Sequence, residues 1–361
     1  MTRPILDSEP PPVSVEAIPD DHEFVCLTLG PYVFGAPDNH SAYRLHNAAI
    51  YFKSPVAVGD HWAGLLGSFN LDKLNKTRLA VVASDAHTAR TASSEAGRRV
   101  ATFEDRAYNG LRALLIQGNP FESHVAGLEI RRVFDAGRFR EEAAMMRPRT
   151  SHPWERIFSI DDHALGTADA VARSLDKIFA RRDEFSRLQR GLDHWDQATM
   201  EHRLDLRLHA LVRAIEALTA PKRGKTQKQF VDRCKVITKV AHAEHLLNEI
   251  YELRSQVEHS NDWRLAFQRT RPSLAADDAE LLATLRVLQV ELIARGAYLR
   301  VLLDSAFLES FRTDELIRRF WASPDRVRIW RDPVNLQSEL KSFFDPHKAE
   351  IREQVMKIEQ A

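Results

Sequence analysis

The chain has 361 residues, enough for two domains, and its 51 Lys and Arg balance 51 Asp and Glu to a formal net charge of zero. That balance excludes a global basic field, so any nucleic-acid contact must come from a local patch. Two cysteines, Cys26 and Cys234, are too few for a zinc framework, and no long apolar run predicts a membrane span, which together fit a reducing, cytoplasmic setting.

Asp7-Ser8-Glu9-Pro10-Pro11-Pro12 reads as a short disordered or extended leader without an apolar signal core. Residues 22–84 read as strand-rich. Phe24-Val25-Cys26-Leu27-Thr28-Leu29 is an apolar run that stops at the turn signal Gly30-Pro31. Residues 50–52 and 79–83 are further short strand candidates, and Thr91 to Gly97 is small and polar enough for a loop. Leu111, Leu114 and Leu115 predict a helix within 103–117 that ends at Gly118-Asn119-Pro120, and 127–146 is expected to form another helix. Residues 1–150 therefore read as a strand-rich α/β domain of unknown role, without a repeat or a chemical motif.

Arg147-Pro148-Arg149-Thr150-Ser151-His152-Pro153 is the expected domain boundary, because its two prolines forbid a continuous helix. Asp161-Asp162 can cap a helix over 164–182. Helical patterns follow at about 198–220, 226–240, 242–258 and 277–308, with Thr226 and Asp277 as start signals. Helices joined by short loops predict an antiparallel α-helical bundle over 160–310 and an α+β chain overall. A helical tail over 311–361 is expected, with segments at 313–322 and 336–359, the second kinked or split at Asp345-Pro346. It has either the bundle or a partner molecule to pack on.

The most informative stretch is Asn248-Glu249-Ile250-Tyr251-Glu252-Leu253-Arg254-Ser255-Gln256-Val257-Glu258-His259-Ser260. Leu246, Ile250, Leu253 and Val257 mark a buried helical face, with Arg254 beside it. His259 is five steps further on, roughly 140° past a full turn, so the two side chains do not meet on an unbroken helix. They converge only if the helix ends near Glu258 or if a second helix brings another such pair across.

Arg254-Ser255-Gln256-Val257-Glu258-His259 resembles the Arg, four residues, His motif of the HEPN superfamily, and its surroundings resemble the Apea-like branch. Residues 207–218, with Glu216, are similar to the first core helix of that branch. The resemblance covers about 165–305. Ser260 stands where relatives often carry Gly, and Ser255 fits the Apea-like form. The resemblance implies a metal-independent endoribonuclease without a cofactor. Arg254 and His259 are then catalytic, and two copies of the motif face each other across a homodimer. It also implies toxin or anti-phage roles and a possible regulatory protein partner. The chemistry suits the residue types: His moves protons near neutral pH, and Arg offers a charged fork to phosphate oxygens. The plainer alternative is a helix-terminal His acting on the dipole, with Arg254 paired to Glu258 or Glu216. A non-catalytic dimerising or nucleotide- or RNA-binding module, with the N-terminal domain as sensor, also stays open.

Glu216 can orient Arg254 or His259, or simply pair with Arg213, with His209 near it at helical spacing. Ser255 and Glu258 can tune the site. Lys222, Arg223, Lys225 and Lys228 form a basic loop that can contact an RNA backbone or be a solvated helix start. Gly224-Lys225-Thr226 is not a P-loop, since it follows a helix and lacks the first Gly. His242, Glu244, His245 and Glu249 could share a helix face, but the metalloprotease order is absent and no metal is expected. His194, His202, His22, His40, His46, His61 and His87 carry no argument.

Overall fold

The nine residues of β2 (His22–Gly30) are almost all buried, so this strand demands packing on both faces of its sheet. The computed structural model describes residues 13–15, 18–35, 37, 41–53, 56–86, 102–122, 124–135, 137–152, 154–259, 262, 266–267, 271–272, 274–344 and 349–360. The leader at 7–12, the loop at 91–97, His40, His87, Pro153, Ser260 and Asp345-Pro346 lie outside them. The chain is α+β, with an antiparallel six-stranded sheet and, among the described residues, thirteen helices. It divides into two compact units: residues 1–151 with 157–181, and residues 152–156 with 182–361.

In the first unit β1 (Val13–Ser14) pairs with β5 (Val56–Ala57), and the main sheet runs β3-β4-β6-β2-β7-β8, where β3 is Ala42–Arg44, β4 Ala49–Phe52, β6 Leu79–Ala86, β7 His124–Asp135 and β8 Arg138–Thr150. Cys26 pairs with Val82 on one side and Ile130 on the other. Phe24, Cys26, Val82, Leu128 and Ile130 pack with Trp62, Leu66 and Leu74 of α1 (Asp60–Asn75). The opposite face carries α2 (Phe103–Leu115), which begins at a capping box between Thr102 and Asp105. Its Gly110 lies close to Val81: a Cβ there would stand 2.9 Å from the Val81 side chain. Burial in this interior pushes the Cys26 thiol up to about 12.

Two expectations fail here. Residues 127–146 form no helix but the arms of the β7–β8 hairpin. Val125, Leu128 and Ile130 reach the core from the strand, and Gly137 takes φ +84° at the turn, a backbone state open to glycine. The α1 helix was not expected, because Gly64 and Gly67 interrupt it and Gly67 is non-helical at φ 68°.

The helix expected at 164–182 is α3 (Asp162–Ala180), begun by Asp161, whose side chain accepts from the Ala164 N–H at 2.8 Å. It groups with the sheet rather than with the later helices. Asp176 explains why: its carboxylate accepts from Asn109 Nδ2 of α2 at 2.9 Å and from Asn47 Nδ2 at 2.6 Å. Burial raises its pKa, and the two amides oppose that rise.

The described residues of the second unit are mainly helical, with a two-residue pairing of β9 (Thr238–Lys239) and β10 (Val334–Asn335) and an isolated bridge between Glu155 and Phe344. The helix expected at about 198–220 is α5 (Leu204–Thr219), and the helix before it, α4 (Ser186–Thr199), has no counterpart in the sequence reading. Next come α6 (Thr226–Ile237), α7 (Ala243–Glu258) and α8 (Ala276–Leu303). Lys225, not Thr226, holds the N-cap position of α6. The run expected to 308 breaks at Asp304, whose side chain caps α9 (Ser305–Glu309) by accepting from Ala306 and Phe307 N–H. Helix α5 packs against α4, α7 and α8. Tyr298 of α8 donates to the Ala214 carbonyl at 2.8 Å.

The tail packs within this unit. Thr313 caps α10 (Asp314–Ala322), and Trp321 donates to the Leu218 carbonyl of α5 at 2.9 Å. Phe307, Phe311, Phe320, Trp321 and Trp330 form one aromatic cluster. Trp330 ends the short α11 (Arg326–Trp330), and the last helices are α12 (Leu336–Phe343) and α13 (Ala349–Gln360). No helix among the described residues is long and apolar enough to cross a membrane.

Candidate functional site

Helix α5 places His209, Arg213 and Glu216 at steps of four and three, so they share one face. Helix α7 lies against α5. It ends at Glu258, with His259 as its C-cap at φ −89°, ψ 10° and its N–H bonded back to the Ser255 carbonyl at 3.1 Å. Leu246, Ile250 and Leu253 are buried as their spacing predicts, whereas Val257 is half-exposed and Arg254 is buried in its stead.

Burying an arginine demands partners for its charge. Arg254 Nη2 stands 3.5 Å from Glu216 Oε2, and its Nη1 donates to Glu258 one turn further along α7. Arg213 Nη1 also donates to Glu216 Oε2, at 2.9 Å. The Arg254 guanidinium lies 5.4 Å from the Tyr251 ring centre, a cation–π distance. Both readings of Glu216 thus find a counterpart in the geometry, since the same oxygen faces Arg213 and Arg254. Three atoms in the cluster are sealed from solvent with no hydrogen-bond partner: Glu216 Oε1, Arg254 Nε and His209 Nδ1.

His209 is a member of the cluster that the sequence marks only as a neighbour of Glu216. Burial holds its pKa below the ordinary histidine range. Arg254 and Arg213 push the same way, against the weaker pull of Glu258 and Glu216. The spacing 209, 213, 216 is the signal for it.

The structure brings Glu216, Arg254 and Glu258 together and leaves His259 exposed at the helix end. Among the described residues no hydrogen bond or ion pair joins Arg254 to His259 within the chain. Ser255 takes part through its carbonyl. Lys222, Arg223 and Lys225 between α5 and α6 and Lys228 in the first turn of α6 are all exposed, and no carboxylate of the described residues pairs with them. The helix-face group at 242–249 is dispersed: Glu244 pairs with Lys235 at 2.9 Å, and Glu249 faces inward onto Arg286 at 2.5 Å. Among the described residues no group of three or more His, Cys, Asp or Glu could hold a metal ion.

No protein-family model, no curated protein and no solved structure matches the chain.

Proposed function

We propose that the helical unit is a metal-independent endoribonuclease of HEPN type, with Arg254 and His259 as its reacting residues. One observation carries the reading: α7 ends at Glu258, so His259 is exposed at the helix terminus while Arg254, one turn earlier, is fixed by Glu216 and Glu258. In the reaction, a ribose 2'-hydroxyl attacks the adjacent phosphorus and the 5'-oxygen leaves. The products are a 2',3'-cyclic phosphate and a 5'-hydroxyl end. His259 takes or gives the proton, a contribution of about 10²–10⁴ in rate. Arg254 donates to the phosphate oxygens as charge accumulates there. Each protomer has one such pair, so two chains supply both proton transfers in a homodimer. The basic loop at 222–228 gives the RNA backbone a local positive track. A role as a toxin or anti-phage effector, answering to a regulatory partner, follows from the family resemblance.

Before reaction Arg254 must exchange Glu258 for phosphate. Glu258 is 43% exposed, so its carboxylate regains water when a phosphate takes its place on the buried guanidinium.

A second reading is a non-catalytic dimerising module. It is favoured by the low exposure of the Arg254 side chain, 7%, and by the two carboxylates on its guanidinium. Incubation of total RNA and tRNA with the purified chain in EDTA decides between them, with a His259→Ala variant alongside. Cyclic-phosphate ends made by the wild type alone are expected. Cleavage that survives the substitution sinks the proposed site, and an intact dimer that never cleaves supports the module.

A further inference from the structure

We infer that His209 is a neutral hydrogen-bond donor to phosphate in this site, working beside Arg254 and Arg213 rather than as a third proton carrier. The inference rests on the ribonuclease reading for the identity of the ligand, a nucleic-acid phosphodiester.

The ring itself fixes the role. Nδ1 of His209 is sealed from solvent and has no partner in either tautomer, but with Arg254 and Arg213 as its neighbouring cations a lone pair there costs less than an unpaired N–H, whose positive end would add to theirs. The neutral ring therefore keeps its single proton on Nε2, the accessible nitrogen of the half-buried side chain. Protonating Nδ1 as well would add a positive charge beside two fixed guanidiniums. The charged groups facing the ring are Arg213 and Glu216 from α5 and Arg254 and Glu258 from α7. Arg213 is one helical turn from His209, and Glu216 ties it to Arg254 through one shared oxygen. On this inference a phosphate that displaces Glu258 from Arg254 is also met by Nε2–H of His209, which shares the α5 face of Glu216, the carboxylate that holds Arg254. Such a donor holds an oxygen without competing for the transferred proton, which leaves proton transfer to His259.

The test uses the full-length protein and a cleavage-resistant 2'-deoxy dinucleotide as probe. His209→Gln keeps an N–H near the Nε2 position, and His209→Phe keeps the bulk without a donor. Loss of a hydrogen bond to a charged group predicts roughly tenfold weaker dinucleotide binding for the phenylalanine variant. The glutamine variant should stay within about threefold of wild type, a rescue that a merely space-filling role does not give. Imidazole nitrogen NMR of the free protein at pH 7 should show the Nε2–H form for His209, with its signal moving on dinucleotide addition. An Nδ1–H or doubly protonated ring overturns the inference, as does unchanged binding by the phenylalanine variant or no dinucleotide binding by wild type. RNA cleavage is followed in parallel. Cleavage with binding indifferent to His209 rejects the inference alone, and His209-dependent binding without any cleavage rejects the ribonuclease reading alone.

Discussion

Arg254→Ala and His259→Ala should both abolish RNA cleavage, yet only the first should weaken the fold. Arg254 is 6% exposed and lies against the buried Glu216. Removing one partner of a buried ion pair costs about 3–5 kcal/mol, because the other charge stays behind. Glu216 keeps Arg213 at 2.9 Å, which offsets part of that cost. Removing the cation from the Tyr251 ring adds about 0.5–1 kcal/mol. The net expectation is about 2 kcal/mol for Arg254→Ala, and within about 0.5 kcal/mol of wild type for the exposed His259. With a urea slope of about 2 kcal/mol/M, the Arg254 variant should unfold about 1 M earlier. Urea titrations of the three proteins side by side make the comparison. Equal midpoints for Arg254→Ala and wild type refute the reasoning, since a buried, carboxylate-bound arginine cannot be removed for nothing.

Gly191→Ala should destabilise the helical unit by about 2 kcal/mol or more, because an added Cβ would stand 2.0 Å from the Tyr298 hydroxyl and 2.5 Å from Ala217 Cβ; a thermal melt with an unshifted midpoint contradicts this. Replacing Lys222, Arg223, Lys225 and Lys228 by Gln should weaken RNA binding across sequences and flatten its salt dependence, by about 0.7 in log–log slope for each phosphate no longer neutralised; filter binding at several salt concentrations reads it. His209 also makes stability depend on pH. Its folded pKa lies below its unfolded value near 6.5, so below about pH 6.5 the unfolded chain binds the extra proton first and stability falls. The loss stops below the folded pKa, and His209→Gln should show a smaller loss between pH 7 and pH 5 in denaturant titrations.

What the sequence disclosed of the fold follows from what each element must bury. Leu111, Leu114 and Leu115 mark α2, and Asp161 and Thr313 mark α3 and α10, because spacing and capping are local signals. The β7–β8 hairpin reads as a helix because residues 127–146 mix apolar and charged residues without clean alternation, and its register is set by β2 at a distance. Helix α3 reads as part of the helical region because its tie to the sheet runs through Asp176, Asn109 and Asn47, which are far apart in sequence. Of the candidate site, Glu216, Arg254 and Glu258 were legible by motif and spacing. The burial of Arg254, the orphaned Nδ1 of His209 and the inward turn of Glu249 onto Arg286 arise only where helices meet.

The buried arginines of the helical unit differ in a way that bears on function. Arg207 pairs with Glu291, which is 2% exposed, and Arg286 with Glu249, which is 1% exposed. Both pairs face inward on each side, and breaking either one leaves a buried charge with no solvent to take it. Arg254 is as deeply placed, but Glu258, one of its carboxylates, is 43% exposed and regains water when it leaves. An arginine required only for packing gains nothing from a releasable partner, since a fully enclosed carboxylate holds it more firmly. A releasable one is what a phosphate needs if it is to reach a guanidinium already held in position by Glu216. The same difference makes Glu258→Gln a sharper probe than loss of the arginine: it should leave the fold within about 0.5 kcal/mol while tightening RNA binding, and weaker binding by that variant in a titration with uncleavable RNA would contradict the exchange of Glu258 for phosphate.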